Sequence, residues 1–237
     1  MTGSKSCISI IVPVLNEARG IEAFLAHLQA WRARGHEVVL VDGGSTDHTV
    51  ALAGPQVDQL LSAPAGRASQ MNLGAAASRG QLLLFLHADT LLPSAALPCL
   101  QQFARDSLHA WGRFDVRFSG TQPLLRVVAA LMNWRSRVSG IATGDQAMFV
   151  TRTLFNTVGG YPLQPLMEDI ALSARLRREC APHCLRLSVI TSSRRWETQG
   201  ILRTIGQMWW LRWRYFMGAD PALLAAQYHA VREGARQ

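Results

Sequence analysis

The sequence predicts an α/β fold: a mainly parallel, twisted sheet with helices on both faces. Three observations predict it. Short β-branched runs alternate with segments whose apolar residues recur at helical spacing. The runs are apolar on both faces, as strands covered from both sides must be. The alternation continues as strand, helix, strand over the first ninety residues, which calls for parallel crossovers. With 237 residues, 49% of them apolar and only 17% charged, the chain can bury one large core and lies outside the disordered class.

Residues 8–14 form the first β-branched run. It is too short to span a bilayer and ends in Asn16-Glu17, and no stretch reaches about 18 uninterrupted apolar residues. Ile21, Phe24, Leu25 and Leu28 then repeat at helical spacing. Residues 37–41 are the second strand, and Ser45 or Thr46 is placed to cap the helix that follows. A short third strand is expected near 59–61, a helix over 67–78 and a buried strand over 81–86. The second half is less regular. A helix is expected over 124–138, a strand over 146–150, a short helix over 151–158 stopped by Gly159-Gly160, a helix over 168–178 and a strand over 184–191. No linker, repeat or low-complexity segment divides the chain, so a single domain over 1–237 is expected.

Residues 200–218 hold Trp209, Trp210 and Trp213 among Arg203, Arg212 and Arg214. On a helical wheel only a narrow stripe of Arg203, Gln207 and Arg214 is polar. Two readings stand: the segment is buried against the domain, or it meets a membrane surface or a lipid acceptor.

In open parallel sheets ligands bind beyond the carboxyl ends of the strands. Asn16 and Glu17 follow the first strand, Asp42 the second, and His87 with Asp89 the strand ending near 86, so polar groups far apart in sequence converge on one crevice. The formal charge of +8 suits nucleotides, anionic lipid or nucleic acid alike. A nucleic-acid module would not gather acids at strand ends, where they repel phosphates without a metal, so no nucleic-acid partner is expected. No phosphate-cradling P-loop and no dinucleotide GxGxxG is present, which removes the main support for an ATPase or a nicotinamide oxidoreductase. Sugar nucleotidyltransferases carry a glycine-rich loop with Arg and Lys after strand one, where this chain has Val14-Leu15-Asn16-Glu17. Cysteines 7, 99, 180 and 184 make no disulfide framework and no signal-peptide pattern opens the chain, which points to a reducing, cytoplasmic setting. Cys180-Ala-Pro-His-Cys184 is either an ordinary turn or three ligands of a zinc site that lacks an evident fourth.

Residues 10–17 (Ile-Ile-Val-Pro-Val-Leu-Asn-Glu), 41–47 (Val-Asp-Gly-Gly-Ser-Thr-Asp) and 84–89 (Leu-Phe-Leu-His-Ala-Asp) resemble, in order and spacing, the three donor-site motifs of glycosyltransferase family 2. Pro165-Leu166-Met167-Glu168-Asp169 resembles that family's catalytic-base motif, and Ser193-Arg194-Arg195-Trp196 the Arg-Trp element after it. The resemblance covers about residues 8–200. It is closest to small bacterial members with Gly144-Asp145-Gln146 and Met167-Glu168-Asp169.

That resemblance implies a GT-A type fold with a donor-nucleotide half over 8–120, an acceptor and catalytic half over 121–200 and a helical segment over 201–237. It implies a metal-dependent, inverting transfer of a sugar from a nucleoside diphosphate sugar to an acceptor hydroxyl, on a lipid or a glycan, by a cytoplasmic protein peripheral to the inner face of the membrane. Pro13, Asn16 and Glu17 would line the nucleoside pocket and Asp42 would lie near the base or ribose, unless Asp42 only forms a turn beside two glycines. Arg67 would meet the base or a phosphate, or stand solvated. Asp89 would hold the divalent cation, Mn2+ or Mg2+, with His87 where the family has the first acid of Asp-X-Asp; imidazole suits manganese better than magnesium. Asp89 as a turn or cap residue is the alternative. Asp169 would be the base and Glu168 would position or bind the acceptor, although acids there also suit a helix start. Arg194 and Arg195 would steady the diphosphate, Trp196 would offer a platform, and Asp145 and Gln146 would lie at the acceptor. A sugar nucleotidyltransferase and a basic non-catalytic binding protein are the competing readings.

Overall fold

A computed structural model describes residues 7–107 and 109–234 of the chain. The first half runs β1 (Ile8–Val14), α1 (Ile21–Arg32), β2 (Glu37–Asp42), α2 (Thr49–Ala53), β3 (Gln59–Ser62), α3 (Arg67–Ala77) and β4 (Leu82–Phe85). β5 (Thr90–Leu91), α4 (Ala96–Asp106), β6 (Trp111–Phe118), α5 (Pro123–Ser139), β7 (Phe149–Thr151) and α6 (Arg152–Thr157) follow. The chain continues through α7 (Glu168–Glu179), β8 (His183–Thr191), α8 (Arg194–Gln199), α9 (Ile201–Phe216) and α10 (Pro221–Gly234).

One eight-stranded sheet runs through the protein in the order β3-β2-β1-β4-β7-β6-β8-β5. β1, β2, β3 and β4 pair in parallel, β7 runs against its neighbours, and β6 pairs in parallel with β8. The alternation of β1 sorts its side chains between two cores. Ile8, Ile10, Val12 and Val14 join the cluster that holds α1 and α4, while Ile11 joins the cluster under α3, α6 and α7. α3 lies close on the sheet because position 74 is glycine: a Cβ there would fall 2.5 Å from Ile11 Cγ2.

The parallel strands of the first half stand where sequence places them. Two expectations need correction. Neither Ser45 nor Thr46 caps α2, which starts later: Asp47 Oδ1 accepts the Thr49 amide at 3.0 Å, and the Ser45 hydroxyl turns back to accept the Asn16 amide. The strand expected over 146–150 is shorter and later, because Gly144–Gln146 makes a 3-10 turn locked by a capping box with Thr143. Of the two readings of Cys180–Cys184 the turn holds: residues 180–182 connect α7 to β8, the cysteines are free, and among the described residues no metal-holding group of His, Cys, Asp or Glu gathers.

Between the two readings of residues 200–218, α9 is buried along one side only, and its tryptophans face outward. Trp209, Trp210 and Trp213 are 67%, 55% and 54% exposed. The inward face carries Ile201, Thr204 and Leu211 instead, and Gln207, expected on the polar stripe, has its amide nitrogen out of solvent.

Candidate active site

The carboxyl ends of β1 and β2 are stapled into one rim. Asn16, at a positive φ of 56°, accepts the Thr46 amide on its side-chain oxygen at 2.8 Å, and the Glu17 amide donates to Thr49 Oγ1 at 2.8 Å. Asp42 is nearly buried and accepts from the Gly44 and Ser45 amides, both at 3.0 Å to Oδ2, so its carboxylate shapes the turn that forms this rim. Pro13 sits in β1 opposite Val41. Sequence reasoning missed Gln70, whose buried amide donates to Val14 O at 2.9 Å and Val41 O at 2.8 Å and clamps the two strand ends together. Its signal was a polar residue within the apolar stripe of Ala68, Met71 and Ala75.

Asp89 lies on the same edge, just beyond β4, with its side chain exposed; one oxygen accepts the Thr90 hydroxyl at 3.2 Å. The β5–β8 pairing and the Ser192 amide bond to Asp89 O, at 3.1 Å, bring the start of α8 next to it. Glu17 senses the result. Burial raises its pKa, the charge of Asp89 raises it further, and Arg194 and Arg67 pull it back.

The residues fit a divalent cation of a particular kind. Among the described residues no three acidic, His or Cys side chains converge, so no all-protein cage exists. Asp89 nonetheless offers a carboxylate with little internal bonding, beside a second acid that its charge disturbs. One or two carboxylates completed by substrate phosphates and water is the set a hard cation takes in nucleotide sites. His87 turns elsewhere: its Nδ1 stands 3.7 Å from Asp145 Oδ1, and its ring packs so closely on position 144 that a Cβ there would fall 2.5 Å from Cε1.

Across the crevice lies the acid pair at the start of α7. Met167 caps the helix in the left-handed region at φ 63°, a strained setting for a side chain of this size that aims Glu168 and Asp169 inward. Asp169 is partly buried and each of its oxygens accepts one backbone amide, Gly144 at 2.7 Å and Ile170 at 2.7 Å. Glu168 is buried; desolvation and the charge of Asp169 push its pKa up to about 7 against the pull of Arg67. A hollow lined by Met71, Phe85, His87, Met148, Tyr161 and the acid pair opens beside them. Tyr161, also missed by sequence reasoning, is held there by Asn72, which pairs with both its backbone N–H and C=O.

Arg67 joins the two sides. It heads α3 with its surface open to the crevice, and desolvation, which lowers its pKa, is outweighed by Glu168, Tyr228, Asp145 and Asp169. The same guanidinium acts on Glu17. Asp145 is held below the usual carboxylate range: desolvation raises its pKa, and His87, Arg67 and Arg195 lower it by more.

Two expected contacts are directed inward. Gln146 is fully buried and accepts the Thr143 amide at 3.2 Å, so it holds the 3-10 turn and reaches no solvent. Trp196 packs edge-on to Phe118, with ring centroids 5.1 Å apart, in the cluster between α5 and α9. Arg195 lies 4.8 Å over the Tyr228 ring and so ties α8 to α10.

A family model described as "Glycosyl transferase family 2" matches residues 9–161. A "PGL/p-HBAD biosynthesis glycosyltransferase" of Mycobacterium tuberculosis is 38% identical over 172 residues, covering 66% of this chain and 63% of that protein. The chain thus spans under two thirds of the length of that relative. The fold of S. aureus TarS 1–349 in complex with UDP superposes with a TM-score of 0.62 at 14% identity, over 78% of this chain and 60% of the other. Glucosyl-3-phosphoglycerate synthase from Mycobacterium tuberculosis, with Mn2+, uridine diphosphate and glucosyl-3-phosphoglycerate, superposes at 0.58 with 18% identity, over 77% and 70% of the two chains. These likenesses show the GT-A fold.

Proposed function

The chain belongs to glycosyl transferase family 2, and from that premise we propose that it transfers a sugar from a nucleoside diphosphate sugar to an acceptor hydroxyl, with inversion, using Asp169 as base. One observation supports the reading: Arg67, at the head of α3, lies within electrostatic reach both of Glu17, which Asp89 also influences, and of Glu168 and Asp169.

The nucleoside would lie along the rim of Pro13, Asn16 and Glu17, below the turn that Asp42 shapes. Arg194 and Arg67 would offset the diphosphate's charge as the sugar–oxygen bond breaks. A divalent cation, Mn2+ or Mg2+, held by Asp89 would stabilise the charge that develops on the leaving diphosphate. Asp169, oriented by the Gly144 and Ile170 amides, would accept the acceptor hydroxyl's proton as that oxygen attacks the anomeric carbon. Glu168, protonated in part near neutrality, would donate to the acceptor or orient it. The reach of this scheme to a lipid-linked acceptor at the inner face of a membrane is supported by the exposed tryptophans of α9.

The test is a panel of UDP- and GDP-sugars with Mn2+ and with Mg2+, reading release of nucleoside diphosphate. Cation-dependent hydrolysis of one donor, lost on Asp89→Asn, is expected. A chain that neither hydrolyses any donor nor gains thermal stability from UDP or GDP with the cation would overturn the reading.

A further inference from the structure

Behind the acid pair, α5 and α9 each turn an arginine into the protein without giving it a partner. Arg135 Nε and Nη2, Arg212 Nε and Gln207 Nε2 are out of solvent and make no hydrogen bond, and neither guanidinium forms an ion pair among the described residues. The other arginines of this region have an acid: Asp115, on β6, pairs with both Arg113 and Arg137. Leaving such donors empty is costly, because a guanidinium moved out of water loses hydration that only an anion or an array of acceptors replaces.

The placement is specific. On α9, Met208 and Leu211, between Gln207 and Arg212, pack with Met167 and Ile170, which flank Glu168 and Asp169. α5 packs on the same helix through Leu125, Val128 and Ala129 against Ile201. The acids whose fields reach these arginines are Asp169 for Arg135, and Asp169 with Asp145 for Arg212. The charges that act most on Glu17 are Asp89, Arg194, Asp47 and Arg67, and neither Arg135 nor Arg212 is among them.

Resting on the transferase reading above, we propose that Arg135, Arg212 and Gln207 form a subsite for an oxyanion, a phosphate or carboxylate carried by the acceptor, which seats the acceptor hydroxyl at Asp169. Guanidinium forks match the planar or tetrahedral oxygens of such groups, and an amide N–H adds a third donor. The like charges of Arg135 and Arg212, which repel across this space, are offset when the anion is present. Gln207 and Arg212 leave α9 on either side of Met208 and Leu211, the residues by which the helix packs beside the acid pair.

The experiment titrates inorganic phosphate into the full chain saturated with UDP and Mn2+, reading thermal shift and calorimetric affinity, for the wild type and for Arg135→Met and Arg212→Met, which keep the apolar stems. Phosphate is expected to stabilise the wild type and to bind each variant about tenfold or more weakly, while UDP affinity changes little and neither variant melts below the wild type. Glycerol phosphate and phosphatidylglycerol vesicles, set against glycerol and phosphatidylcholine vesicles, then show whether a soluble or a lipid-borne phosphate competes; competition by either supports the subsite. Equal phosphate binding in all three proteins overturns the proposal, as does phosphate binding that is seen without nucleotide but absent with UDP bound, which would give these arginines to the donor. Should UDP fail to bind at all, the transferase reading falls separately, and the same titration without nucleotide still decides the subsite through the two variants.

Discussion

Asp169 holds each carboxylate oxygen with a single backbone amide, which leaves a lone pair on each for a proton from outside. Asp169→Asn removes the basic oxygen but keeps size and one accepting group. Transfer should fall by about 10² to 10⁴ in single-turnover rate while nucleotide affinity stays near wild type; near-normal turnover would take Asp169 out of the chemistry. Glu168 makes a pH prediction. Its pKa is raised from 4.5 to about 7, so below the lower value it is neutral folded and unfolded, and its contribution to stability is fully present. Between the two values the unfolded chain ionises first, stability falls, and above the higher one the contribution is gone. Glu168→Gln should therefore flatten the decline of Tm between about pH 5 and pH 8; an unchanged decline would mean that Glu168 titrates normally. At this scale the sequence exposes residues that stand in short polar motifs at element ends, such as Glu17 and Asp89 after strands and Asp169 at a helix start. It hides Gln70, Tyr161, Arg135 and Arg212, because their roles come from what they face across the fold and their own neighbours in sequence say nothing of it.

The 3-10 turn at Gly144–Gln146 couples three elements. Thr143 and Gln146 close its capping box, Gly144 N–H holds Asp169 on α7, and the missing side chain at 144 lets the His87 ring lie against the backbone after β4. Gly144→Ala would drive the new Cβ to 2.5 Å from His87 Cε1, so the ring must leave Asp145 or the turn must move away from Asp169. The expected outcome is a loss of about 10-fold or more in kcat/KM with little loss of nucleotide affinity, read by steady-state kinetics beside UDP titration; unaltered kinetics would show that the turn does not position the base. Elements with a single period were legible in sequence: β1, β2 and α3 show their buried faces as apolar runs or stripes. β6 was not, because Arg113 and Asp115 break its apolar pattern although they are paired with each other inside. α9 was legible only in part, since Gln207 and Arg212 have side-chain nitrogens out of solvent where hydrophobicity alone would have put tryptophans.

Across the molecule, the apolar surface that no element covers gathers on two adjoining helices. α5 exposes Val127, Leu131, Trp134 and Val138, and α9 exposes Leu202, Trp209, Trp210, Trp213, Phe216 and Met217, while the two helices pack together along Leu125, Val128 and Ile201. No helix among the described residues is long and apolar enough to cross a membrane. An amphipathic helix with tryptophans outward and arginines beside them is the pattern that lies in a lipid interface, and a net charge of +8 favours anionic headgroups. With its outer face on such a surface and its inner face packed on Met167 and Ile170 beside the acid pair, α9 would make lipid contact and acceptor capture two sides of one helix. The chain should therefore float with phosphatidylglycerol vesicles at low salt. It should float less as salt rises, and lose about tenfold or more of its partitioning when Trp209, Trp210 and Trp213 are all replaced by Ser, with hydrolysis of a soluble donor unchanged. A wild-type chain that stays at the bottom of the gradient with those vesicles would remove the membrane from the account and leave the tryptophans to be covered by another protein surface.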